Sequence, residues 1–211
     1  LAGRELKIWD ATVQDLAQID VGSWFDPAYA SERTPTLAQV LDIVRNRAKI
    51  LVELKYYGHD VDLEARTVTV IERAGMADQV ALMSLKYPAI LKVRAIRPSW
   101  RTGVLAATAI GDLTGLEGDF VAVSAGTVGP RLVSNAKAAG KDLYVWTVNE
   151  PLEMSSMISM GVDGIITDEP AIAKQVLAER ASMSSAQRLL LLLAERLGLS
   201  LPTGGYRDTS P

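Results

Sequence analysis

Apolar residues fall in short runs along the chain, separated by stretches with helical spacing, and this alternation predicts most of the architecture. Val80–Leu85, Gly103–Thr108, Phe120–Ser124, Leu143–Val148 and Gly164–Thr167 are short runs bounded by turn residues, as expected of strands buried on both faces. Ahead of them lies Lys49–Lys55, whose apolar start, Ile50–Val52, runs into Glu53, Leu54 and Lys55. Between the runs, apolar residues three and four apart predict helices over 36–47, 62–74, 88–97, 130–139 and 153–160. Thr36 and Gln39 have capping-box spacing at the start of the first, and Gly140 and Gly161 stop the last two. A weaker helical pattern covers 11–20, and 112–116 makes at most one turn. The segment 20–27, which carries Trp24 and Phe25, reads as a loop whose aromatics form either a hydrophobic staple or a pocket wall.

Short strands apolar on both faces and separated by helices predict a parallel sheet of right-handed βα units. No glycine-rich phosphate-binding run follows a first strand, and polar residues recur at strand ends: Glu53, Lys55, Ser84, Thr108, Ser124, Asn149 and Asp168. A (β/α)8 TIM barrel assembles its site from several strand ends in this way, so that fold is expected over an open doubly wound sheet. A complete barrel takes about 250 residues, whereas the βα region here stops near Arg180. The expectation is an α/β barrel truncated at its N-terminus, with strands 3 to 8 present in residues 1–180. Residues 181–211 form a C-terminal helical extension and tail. There the unbroken Leu189–Leu193 sits in a helix over 186–197, which must pack on the barrel exterior, a second chain or a membrane surface.

Composition narrows the chemistry. The chain has 211 residues, 48% hydrophobic and 22% charged, with a net charge of -3 and no long like-charge runs, so nucleic acid is not an expected partner. It has no cysteine, which excludes disulfides, thiolate metal sites and cysteine nucleophiles. His59 is the single histidine, so a mechanism needing two imidazoles must draw at least one from outside these residues. The chain starts at Leu1 with no leader pattern, which reads as an internal start, and it has no run of eighteen apolar residues.

Glu53 and Lys55 stand two apart on a predicted strand and therefore share a face. Burying a carboxylate and an ammonium there is costly unless they meet each other, a metal or a ligand. A structural ion pair and a functional site are both open readings. A Schiff-base aldolase would also place a lysine at a strand end, Lys55 or Lys86, but a carboxylate beside Lys55 works against the lowered pKa that such a lysine needs.

Several segments together carry a resemblance. Val52-Glu53-Leu54-Lys55, Asp20-Val21-Gly22-Ser23, Arg33-Thr34-Pro35-Thr36-Leu37, Val145-Trp146-Thr147-Val148-Asn149 and Gly161-Val162-Asp163-Gly164-Ile165-Ile166-Thr167-Asp168-Glu169-Pro170 resemble, in order and spacing, the glycerophosphodiester phosphodiesterase family. The run 56–60 resembles the members with a membrane domain ahead of the barrel, so a membrane segment is expected upstream in a parent protein. The resemblance implies hydrolysis of glycerophosphodiesters to an alcohol and glycerol 3-phosphate with a divalent cation, Mg²⁺ or Ca²⁺. It implies that Glu53 is a carboxylate ligand of the metal, that Lys55 faces the phosphate as the catalytic lysine, and that Trp146 packs on the glycerol moiety. Ser84 falls where the family has Ser-Phe at a strand end and is the second substrate-binding candidate. Asp163 and Asp168 are expected to shape the last strand and the start of the next helix. The family's His-Arg-Gly, Glu-x-Asp and His-Asp motifs would precede residue 1, and His59 follows the Glu-x-Lys strand and does not match them. The expectation is therefore a fragment inactive alone. The alternative is a non-catalytic pseudoenzyme or interaction domain.

Overall fold

The computed structural model describes residues 6–59, 61–108, 111–184, 186–187 and 190. The chain divides into two compact units at Leu105, near the end of its third strand.

The first unit opens with a single 3-10 turn, Ile8–Asp10, and a four-residue helix α1 (Val13–Leu16), much shorter than the expected 11–20. Thr12 and Asp15 cap α1 reciprocally. Helix α2 (Leu37–Val44) starts as predicted. The Thr36 amide donates to Gln39 Oε1 at 2.8 Å and the Gln39 amide to Thr36 Oγ1 at 3.3 Å. Then come β1 (Ile50–Glu53), α3 (Leu63–Ala74), β2 (Val80–Ser84), α4 (Tyr87–Ile96) and β3 (Thr102–Ala106). Strand β2 pairs in parallel with both β1 and β3. Leu54, Val80 and Leu82 face the helices and bury against Leu41, Val68, Ile71 and Val93. By the period of two, Leu51 and Glu53, and Lys55 just beyond the strand, take the opposite face.

The second unit contains β4 (Phe120–Ser124), α5 (Pro130–Ala138), β5 (Asp142–Trp146), α6 (Pro151–Met160), β6 (Gly164–Ile165) and α7 (Pro170–Ser182). Strand β5 pairs in parallel with β4 and β6. Val145 packs with Met154, Met157, Ile172 and Val176 on the helix side. The register matches Ala122 to Tyr144 and Ser124 to Trp146, which puts these four on the other face. Gly164 lies across from Tyr144, and a Cβ there would stand 2.8 Å from the ring, so only glycine admits the tyrosine. The last strand is two residues long where four were expected, although Ile166 still donates to the Val145 carbonyl at 2.8 Å and accepts from the Val148 amide at 3.1 Å.

Each unit is thus parallel α/β, as predicted. The unbroken leucine run lies outside the described residues except for Leu190, which is exposed. Among the described residues no helix is long and apolar enough to cross a membrane.

Candidate active site

In the first unit, β1 carries Glu53 to the end of the sheet, and Lys55 follows on the same face. The Lys55 ammonium is 3.8 Å from Glu53 Oε2, with the lysine side chain 60% exposed and the glutamate side chain 26%. The structure therefore brings these two candidates together at a solvated edge. The ammonium projects toward solvent, available to an anion, and the carboxylate beside it is the candidate cation ligand.

Ser84 is placed differently. It shares the helix-facing side of β2 with Val80 and Leu82, and its exposure is 0%. Its hydroxyl donates to the Leu54 carbonyl at 2.7 Å and accepts from the Lys86 amide at 3.0 Å. It does not join the face of Glu53 and Lys55. The sequence contained the signal for this, since Ser84 has the parity of Val80 and Leu82 on an alternating strand.

Behind the same strand end is a cluster the sequence did not reveal. Glu64, in the first turn of α3, is 4% exposed, and Lys92 of α4 places its ammonium 3.1 Å from Glu64 Oε1. Burial pushes the carboxyl pKa up, but its own amide, the Tyr56 hydroxyl and Lys92 outweigh burial and hold it below the usual value of 4.5. Tyr56, next to Lys55, packs against the helix-side core. No local pattern links residues 56, 64 and 92; only the packing of α3 on α4 does so.

His59 is exposed and stacks on Trp9, with ring centroids 4.3 Å apart and planes at 19°. Lys7 sits 5.9 Å from the centroid of the same indole. Upstream, Asp20 gathers the loop of the Asp-Val-Gly-Ser segment. Its Oδ1 accepts from the Gly22 and Ser23 amides, both at 2.9 Å, and its Oδ2 accepts from the Ser23 hydroxyl. Chiefly through the Ser23 hydroxyl, the Asp20 pKa falls to about 2. Gly22 is required there, because a Cβ would lie 2.1 Å from the Tyr29 carbonyl oxygen. Trp24 and Phe25 are 57% and 62% exposed and do not form a buried staple; Trp24 donates its indole N–H to the Val21 carbonyl at 2.7 Å.

In the second unit, Trp146 ends β5 on the face of Tyr144. The residue is partly exposed, yet its indole N–H is covered and has no acceptor among the described residues, so the part it presents is not the N–H. Nearby, Asn149 joins two loops. Its amide donates to Asp168 Oδ2 at 3.0 Å, and its carbonyl accepts from the Thr167 hydroxyl and the Asp168 amide, both at 3.0 Å. Asp163 accepts the Leu143 amide at 2.8 Å and so fixes the entry to β6.

Three or more His, Cys, Asp or Glu side chains do not gather into a metal cage among the described residues. A single carboxylate with an ammonium 3.8 Å away does not by itself fit a divalent cation.

The model of the glycerophosphoryl diester phosphodiesterase family matches residues 1–172. A glycerophosphodiester phosphodiesterase of Caldanaerobacter subterraneus subsp. tengcongensis is 28% identical over 171 residues, which cover 76% of this chain and 69% of that protein. Among solved structures, a phosphodiesterase of Oleispira antarctica in complex with the product sn-glycerol-3-phosphate superposes with a TM-score of 0.76 at 22% identity, covering 81% of this chain and 72% of the other. A glycerophosphodiester phosphodiesterase of Parabacteroides distasonis gives a TM-score of 0.68 at 25% identity, covering 82% and 73%.

Proposed function

Because the chain belongs to the glycerophosphoryl diester phosphodiesterase family, we propose that its residues serve the metal-dependent hydrolysis of glycerophosphodiesters to an alcohol and glycerol 3-phosphate. The observation that carries this reading is the Glu53 and Lys55 pair, side by side at the solvated end of β1 in the segment that matches the family. The product seen with the Oleispira antarctica relative supports the substrate class.

In this reading water attacks phosphorus, the phosphorus–alcohol oxygen bond breaks, and the departing alcohol takes up a proton. Negative charge grows on the phosphoryl oxygens as this happens. Lys55 holds an ammonium against that charge, where a fixed cation lowers the barrier. Glu53 would supply one carboxylate oxygen toward Mg²⁺ or Ca²⁺ only alongside further ligands, and such an ion would polarise a phosphoryl oxygen. The remaining ligands and both imidazoles of the family's motifs would have to be supplied from outside these residues, since His59, the single histidine, matches neither motif. Ser84 serves from behind, through the backbone it holds.

The test is a coupled assay for glycerol 3-phosphate released from glycerophosphocholine with Mg²⁺ or Ca²⁺. The 211-residue chain alone is expected to release none. The same chain joined behind a segment carrying the His-Arg-Gly, Glu-x-Asp and His-Asp motifs is expected to release it, and to lose that activity with Lys55→Ala. Silence from the joined chain overturns the catalytic reading and favours an interaction domain. Turnover by the bare chain overturns its dependence on outside groups.

A further inference from the structure

Ser84 is a polar side chain at 0% exposure, one residue past Met83, the β2 partner of Glu53. A hydroxyl so buried has to be bonded, and its two bonds are spent on particular neighbours. One goes to the carbonyl of Leu54, the residue between Glu53 and Lys55, at 2.7 Å. The Leu54 amide donates in turn to the Met83 carbonyl at 2.8 Å. Both backbone groups of Leu54 are therefore held by β2, one residue beyond the formal end of β1, and the Lys55 backbone follows from a fixed point.

The hydroxyl's second bond accepts the Lys86 amide at 3.0 Å. The Lys86 carbonyl accepts from Ala89 at 2.9 Å, so this lysine too is fixed by both its backbone groups at the head of α4. Lys86 is exposed and its side chain makes no helix cap. One hydroxyl thus ties together the two places where lysines leave adjacent parallel strands, which lie about 4.8 Å apart. Glu53 beside Lys55 offsets one of the two positive charges and limits their repulsion.

We propose that Ser84 is a positioning residue that sets Lys55 and Lys86 at neighbouring strand ends as a two-cation seat for a phosphate group. The backbone ties from Ser84 to Leu54 and Lys86 are the geometry it stands on; that the phosphate is the glycerophosphodiester's rests on the phosphodiesterase reading above. Lys86 is then a second phosphate contact, fitted to a group that two ammonium point charges share.

The experiment uses pyridoxal 5′-phosphate on the 211-residue chain, with the imines trapped by borohydride and located by mass spectrometry. One lysine of the seat holds the probe's phosphate while the other condenses with its aldehyde, so Lys55 and Lys86 are expected to be modified faster than the exposed Lys174. Ser84→Ala is expected to cut that preference about threefold, the equivalent of one net hydrogen bond. Lys86→Ala is expected to lower labelling of Lys55, and Ser84→Ala to have a smaller effect in the Lys86→Ala chain, where only its hold on the Leu54 carbonyl still bears on the label. A merely structural role for Ser84 would show equally in both backgrounds.

A folded Ser84→Ala chain that labels like the unaltered one overturns the proposal. If Ser84→Ala does not fold, hydrogen exchange in the unaltered chain decides. Protection of the Lys86 amide is expected, and exchange at the free rate overturns the clamp. Glycerol 3-phosphate is expected to protect Lys55 from labelling. If it does not, while inorganic phosphate does and the Ser84 effect persists, the phosphodiesterase reading fails and the seat stands. If it protects Lys55 but Ser84→Ala is silent, only the seat fails.

Discussion

Lys55 and Glu53 meet at 3.8 Å with the lysine side chain 60% exposed. Water screens a pair so placed, and its contribution to stability is at most about 1 kcal/mol. Lys55→Met is therefore expected to leave thermal unfolding nearly unchanged, while turnover in the catalytically complete form falls on the order of 10²–10³-fold. Calorimetry and the coupled glycerol 3-phosphate assay check the two halves separately. A large loss of stability would return the pair to a structural ion pair.

Asn149 is the carboxamide on which the loops after β5 and β6 close, with bonds at 3.0 Å to Thr167 and to both the amide and carboxylate of Asp168. Asn149→Asp turns its donor toward Asp168 into a second carboxylate oxygen. The expected cost is about 1–3 kcal/mol at neutral pH. Part of it returns as the pH falls toward about 4 and one carboxyl takes a proton. Asn149→Ala loses the bonds without that recovery. Denaturant melts at pH 7 and pH 4 distinguish the two variants.

Asp20 has its pKa lowered from 3.8 to about 2, first by the Ser23 hydroxyl and then by the Ser23 and Gly22 amides. The folded value lies below the unfolded one, so the ionised carboxylate steadies its loop fully above pH 3.8 and loses this effect as the pH falls through 2. Carboxyl-carbon NMR is expected to show a midpoint near the lower value. Ser23→Ala is expected to move that midpoint up toward 3.8.

Glu64 and Lys92 form a pair at 3.1 Å in which the glutamate side chain is 6% exposed and the lysine 66%. Removing the lysine strands a covered carboxylate, so Lys92→Met is expected to cost about 1–3 kcal/mol at neutral pH. Adding Glu64→Leu is expected to restore part of that loss. The Glu64 pKa lies below 4.5, so in the unaltered chain the pair's contribution is present above that pH and fades as the pH falls below it. Urea melts of the single and double variants across pH 3–7 follow both effects.

What the sequence revealed follows from what each signal encodes. Short apolar runs located the six strands of the described residues, and the Thr36 and Gln39 capping box marked the start of α2, with Thr36 as its N-cap. Glu53 and Lys55 were legible as neighbours because strand periodicity alone puts residues two apart on one face. Ser84 was read by its place in a family pattern, and its strand parity, which points to the helix side, was the better guide. The Glu64, Lys92 and Tyr56 cluster was not legible, because its members come from three elements that only tertiary packing joins. Helix α1 is shorter than its apolar spacing suggests: Thr12 and Asp15 cap a start at Val13, and beyond Ala17 the amides of Gln18 and Ile19 reach back three residues, to Asp15 and Leu16, where a helix would reach back four.

Within each unit the strands lie side by side in the order they occur along the chain, β1 to β3 and β4 to β6. Each pair within a unit thus joins consecutive strands, and pairing closes only the intervening helix and its short connections. Closure entropy rises slowly with loop length, and no strand waits for a distant partner. Growth of each unit one βα step at a time is therefore open to the chain. The bonds that hold Leu54, to the Met83 carbonyl and from the Ser84 hydroxyl, need no residue beyond β2, so the end of β1 has all its partners before β3 has been made.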